Sequence, residues 1–138
     1  MAINKESNSF TFGFAIALVV VIGVVLAVLS EGLKPYKDKN VRVKKQLDIL
    51  SAMMDIEKEG ITRENAEVEF KKYINLDEAL ILDNKGNVKK GKEGKAAFDI
   101  DIKKEFRDKT LSEGDKNYPL FIAKDKSNQT RYIIPVVG

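Results

Sequence analysis

Hydrophobic and polar positions are distributed very unevenly along this chain. Phe12 to Leu29 are eighteen consecutive uncharged residues, FGFAIALVVVIGVVLAVL, and the remainder is polar or only patchily apolar. A helix from Phe10 to Ser30 would be about 31 Å long, which matches a hydrocarbon core of about 30 Å. Val is abundant in the run and favours strands in water. In lipid, however, each backbone N–H and C=O must be paired within the segment, so a transmembrane helix over residues 10–30 is the expectation. A cleaved signal peptide fits poorly, because its apolar stretch covers about 7–15 residues and ends at a small-x-small site. The exit here, Ala27-Val28-Leu29-Ser30-Glu31-Gly32, has no Ala-x-Ala.

Beyond a tail over residues 1–9 and this span, the pattern changes period. Val43, Leu47, Leu50 and Met54 recur at spacings of four, three and four, widened by Ile49, Met53 and Ile56. This predicts an amphipathic linker helix within residues 31–60, with Pro35 in its first turn, Gly60 as its stop and the two Met as core filler. Thr62 is read as the N-cap of a further helix that places Ala66, Phe70 and Ile74 on one face. A tight turn is expected at Asp83-Asn84-Lys85-Gly86, between short strands. Phe98, Ile100 and Ile102 alternate with Asp99 and Asp101, the pattern of a strand with a solvated acidic face. The strongest strand signal is at the end: Leu120–Ala123 and Tyr132–Val137 flank the polar bridge Lys124–Arg131, as in an antiparallel hairpin. Pro135 would have to lie at an edge or a bulge. Residues 61–138 thus read as a small α+β domain.

Composition narrows the chemistry. Of the 138 residues, 24 are basic and 21 acidic, a net charge of +3, and the signs are interleaved, so no nucleic-acid partner is expected. With no Cys and no His, disulfides, thiolate sites and imidazole ligation are excluded, and only carboxylates remain as metal ligands. No metal site and no catalytic residue is assigned. The loop NVKKGKEGKAA lacks a Gly-Lys-Ser/Thr pattern that would mark a phosphate cradle. Gly13, Ala17, Val20, Val24 and Ala27 share a stripe at 100° per residue, a face on which a neighbouring helix could approach closely.

Two stretches carry a family resemblance. In LKPYKDKNVRVKKQLDIL, Leu33 opens a basic linker, Asn40 follows, and Lys45 and Gln46 precede Ile49 and Leu50; in LFIAKDKSNQTRYIIPVVG, Lys124 and Asp125 stand at the turn before Ile134-Pro135-Val136-Val137-Gly138. The order of features resembles the single-pass, FMN-bearing subunit of the bacterial sodium-translocating NADH:quinone reductase. That resemblance implies an α+β fold: one transmembrane helix, an amphipathic helix, and the beginning of an FMN-binding domain that ends in a β-hairpin. It further implies a part in a complex that passes electrons from NADH to ubiquinone and exports sodium ions. Sibling membrane subunits and membrane lipid are the implied partners, and the bacterial inner membrane, crossed once, the implied location.

In the family, FMN is carried covalently on the Thr of a Ser-Gly-Ala-Thr motif that follows a Gly-Leu-Trp segment. Thr11, Thr62, Thr110 and Thr130 lie in other contexts, and the chain has no Trp. The attachment Thr is therefore expected beyond Gly138, no flavin is expected on these residues, and the chain reads as an inactive amino-terminal fragment. The positive-inside rule sets Lys5 against Lys34, Lys37, Lys39, Arg42, Lys44 and Lys45 and would put the carboxyl-terminal side in the cytoplasm. The resemblance implies the periplasm, and the periplasm is the expectation. The alternative from another class is a single-pass protein with an extracytoplasmic sensing or ligand-binding domain and no redox role.

Overall fold

The computed structural model describes residues 8–91 and 93–138, so most of the expected tail, Lys5 and Lys92 lie outside the described residues. The chain divides into two compact units, with the division between Arg42 and Val43.

The first unit is helical. Helix α1 runs Asn8–Ser51 and includes the whole Val-rich run. Every residue from Asn8 to Arg42 is exposed, and the most apolar window has a mean hydropathy of 3.1 with none of it buried. It is a helix long and apolar enough to cross a membrane.

The expected separate linker helix does not form. Pro35 lies inside α1 rather than in a first turn, and the helix ends at Ser51 rather than Gly60. Proline's fixed φ is helical, but inside a helix it removes the bond to the Glu31 carbonyl and its ring crowds that carbonyl, which is open to solvent here. At the other end, Ser51 Oγ donates to the Asp48 carbonyl at 2.8 Å, and Met53 and Met54 N–H turn back to the Leu50 carbonyl at 3.1 Å each. Gly60, at φ +65°, serves a later turn.

The second unit, Val43–Gly138, is α+β. After the last turns of α1 come α2 (Ala66–Tyr73), a 3-10 turn (Leu76–Glu78), β1 (Leu80–Leu82), α3 (Lys95–Asp99), α4 (Ile102–Arg107), β2 (Tyr118–Lys124) and β3 (Thr130–Ile133). The three strands form an antiparallel sheet in the order β1-β2-β3. The expected terminal hairpin is β2–β3, although β3 begins at Thr130 and stops before Ile134, which leaves Pro135 beyond the strand. Pro119 occupies the middle strand opposite Ile81. The Ile81 carbonyl accepts from Lys89 N–H at 2.7 Å and so points away from β2; the ladder requires no N–H from Pro119.

Two further expectations are corrected. Thr62 is not the cap of α2: the helix starts at Ala66, and Thr62 N–H donates to Asn65 Oδ1 at 2.7 Å while Asn65 Nδ2 donates to the Gly60 carbonyl. The predicted strand over Phe98–Ile102 is instead the end of α3 and the start of α4. Ala97 and Phe98 are adjacent and both buried, which a strand covering a core on one side cannot arrange, and Asp101 caps α4 by accepting from Lys103 and Lys104 N–H at 3.0 and 3.2 Å.

The core joins Ile49 and Leu50 of α1, Phe70 and Ile74, Ile81, Phe98, Phe121 and Ala123. Leu47, Met53, Met54 and Ile56 pack against it, so the amphipathic face read in the sequence does meet a domain. Phe98 meets Phe70 edge to face at 5.6 Å and Phe121 at 6.4 Å. In the sheet, Ile81, Pro119, Phe121 and Ala123 face this core, while Leu80, Leu82, Leu120 and Ile122 lie half-buried on the other side, with exposed Tyr132 beside them.

Phe70 is fully buried and Val68, two residues away on α2, is 61 % exposed. Phe70→Ala should cost about 3–5 kcal/mol and Val68→Ala no more than about 0.5 kcal/mol, as measured by denaturant unfolding of the whole chain in detergent micelles.

Candidate functional site

Three places bring chemistry-bearing residues together, all within Val43–Gly138. The first is Lys45. It leaves α1 on the same side as Ile49 and reaches the end of α3, where Nζ donates to the carbonyl of Phe98 and, at 2.7 Å, to that of Ile100. It also lies 5.0 Å from the Phe98 ring centroid. Burial holds its pKa below the ordinary lysine value, against the opposing pull of Asp99 and Asp101. These two aspartates therefore flank a lysine and do not line a strand face, and among the described residues no group of three or more acidic side chains is placed to hold a metal ion. Lys45 acts as a C-cap for α3.

The second is the Gly- and Lys-rich loop. Lys89 Nζ donates to the carbonyls of Asp115 and Lys116 at 2.9 and 2.8 Å and to Asn117 Oδ1 at 3.3 Å, so it stitches two loops together. Gly91 N–H donates to Glu93 Oε2 at 2.9 Å, a local bond within the loop. Lys116 is itself buried; it pairs with Glu113, which raises its pKa, and lies 5.8 Å from the Phe106 ring centroid.

The third is a pair of turns with one construction. In the first, Asp83 Oδ1 accepts from Lys85 and Asn87 N–H at 2.8 Å each, and Gly86 takes φ +84°. In the second, Asp125 Oδ1 accepts from Ser127 and Gln129 N–H at 2.9 Å each, and Asn128 takes φ +59°. Both carboxyls are held below their ordinary range, Asp83 chiefly by its bond from the Asn87 side chain and Asp125 chiefly by its bond from Gln129 N–H. Arg131 Nε adds a bond to Asp125 Oδ2 at 3.1 Å. The turn read at Asp83–Gly86 is thus present, and it is repeated at Asp125.

The residues that carry the family resemblance divide, with Leu33, Asn40, Lys124, Ile134 and Val136 exposed. Gln46, Ile49 and Leu50 are buried, and Asp125 builds its turn. The small-residue stripe on α1 is exposed throughout, and a Cβ added at Gly13 would meet nothing within 4 Å. Lys45 has a signal in the sequence that the apolar pattern alone hides: Lys45 and Gln46 precede Ile49 and Leu50 by one helical turn each, which puts both on the apolar face.

No protein-family model, no curated protein and no solved structure matches this chain.

The two turns predict an acid response. A carboxyl whose folded pKa lies below its unfolded value adds stability above about pH 4, and that stability is lost as pH falls through the folded value. Denaturant unfolding of the whole chain in micelles, followed by circular dichroism, should show stability falling as pH drops from about 5 toward 2. Asp83→Asn with Asp125→Asn should flatten that dependence.

Proposed function

We propose that this chain is the membrane-anchoring amino-terminal part of the single-pass, FMN-bearing subunit of a bacterial sodium-translocating NADH:quinone reductase. The observation that carries the reading is that the end of the first stretch resembling the family and the strands of the second belong to one α+β unit. Gln46, Ile49 and Leu50 from the first are buried in it, and β2 and β3 from the second form two of its three strands. A helix of the right length and hydropathy leads into that unit. On this reading α1 tethers the domain to the bacterial inner membrane, with the domain on the periplasmic side, and sibling subunits pack around the tether.

In the complete polypeptide, covalent FMN would supply one-electron transfer, and the protein would supply position and electrostatics. None of Thr11, Thr62, Thr110 or Thr130 lies in a Ser-Gly-Ala-Thr segment. Thr110 is engaged in its own local turn, where its hydroxyl donates to Asp108 Oδ1 at 2.6 Å. On this reading none of the four carries flavin.

The expressed chain should show no flavin fluorescence on a denaturing gel and no flavin absorbance. When co-expressed with the other reductase subunits it should co-purify with them from membranes. Covalent flavin on these residues would refute the assignment of roles, and failure to co-purify would favour a single-pass sensing protein instead.

A further inference from the structure

Because α1 continues unbroken past its apolar run, the charged residues beyond that run are held at fixed heights above it. At about 1.5 Å per residue, Lys34, Lys37 and Lys39 stand roughly 6, 10 and 14 Å beyond Ser30 along the helix. The headgroup layer of one leaflet is about 5–8 Å thick, so Lys34 lies inside it. Lys37 and Lys39 are within about one Debye length of its outer surface, a distance that a flexible lysine stem shortens further. All three are exposed, and none forms an ion pair among the described residues.

The acidic residues of this segment stand clear of Lys37 and Lys39. Glu31 and Asp38 are seven residues apart and so fall about 20° from each other around the helix, with Arg42 on the same stripe. Lys34 lies beside that stripe, three residues after Glu31 and four before Asp38, yet forms no ion pair with either; Lys37 and Lys39 flank the stripe, each about 80° or more away from both acids. Tyr36, 70 % exposed and at the same height, has the apolar ring and polar tip that suit a membrane interface.

We propose that Lys34, Lys37 and Lys39 form a collar that binds the anionic headgroups of the phospholipids surrounding the emerging helix. The proposal rests on the reading of α1 as a membrane-spanning helix. It adds a lipid class to that reading: phosphatidylglycerol-type headgroups are held at the collar in preference to zwitterionic ones, whichever side of the membrane the collar faces.

The chain has no Trp, so Leu29→Trp at the exposed end of the apolar run introduces a single indole as a probe. The full-length variant is reconstituted in phosphatidylcholine vesicles containing either brominated phosphatidylglycerol or brominated phosphatidylcholine. Bromine quenches the indole only from lipids adjacent to the helix, so the ratio of quenching gives relative lipid affinity. A lysine near an anionic surface contributes about fivefold, so a preference for phosphatidylglycerol of at least about fivefold is expected. It should collapse toward unity in about 1 M salt, where the screening length is about 3 Å. It should also collapse on combining Lys34→Gln, Lys37→Gln and Lys39→Gln, while quenching by brominated phosphatidylcholine persists and confirms insertion. Equal quenching by the two lipids in the parent, or a preference that survives the triple substitution, overturns the collar. Absence of quenching by either lipid overturns the spanning reading and the collar with it.

Discussion

Within Val43–Gly138, three segments distant in sequence depend on one side chain. Phe98 sits edge to face with Phe70 of α2 and with Phe121 of β2, while its own carbonyl receives the Lys45 ammonium. Aromatic pairs in this geometry are worth about 0.5–1.5 kcal/mol beyond the area they bury. The lysine joins the last turns of α1 to the end of α3, a helix of only five residues that could not persist in isolation. Phe98 therefore ties the end of α1 into the domain. It also explains why Ala97 and Phe98 must be presented together on a helical turn rather than on opposite faces of a strand.

A different constraint governs the first unit. Residues 8–42 are exposed throughout, so their helix does not derive its stability from a buried tertiary face in the way that α2 does. A Val-rich segment followed by Pro35 would be a poor helix in water. Its apolar run, Phe12 to Leu29, is long and apolar enough to cross a membrane, where unpaired backbone groups would have no alternative partner.

How much of the fold is legible in the sequence depends on the range of the interactions involved. The apolar run, the four-residue spacing of Ala66, Phe70 and Ile74, the Asp83 turn and the terminal hairpin are all local patterns, and each is present. The elements that depart from expectation depend on contacts made across the chain. Alternation at Phe98–Ile102 mimics a strand, because the partners that make Phe98 helical lie on α2 and β2, and because an aspartate on a strand face and one capping a helix look alike in sequence. Pro35 suggests a boundary that the exposed helix does not have. The pairing of β1 with β2, which joins Leu80 to Leu120, has no local signature at all. Of the candidate chemistry, the two aspartates and the lysine-rich loop are visible in the sequence, but their roles as lysine neighbours and loop stitches come only from three-dimensional proximity.

The sheet has one more consequence, for how much its sequence could vary. In a sheet that covers a core on one side only, the outward positions are free to be polar, because water satisfies them. Here Leu80, Leu82, Leu120 and Ile122 point away from the core and are apolar all the same. Judged by its residues, this sheet has the make-up of an inner layer rather than an outer wall.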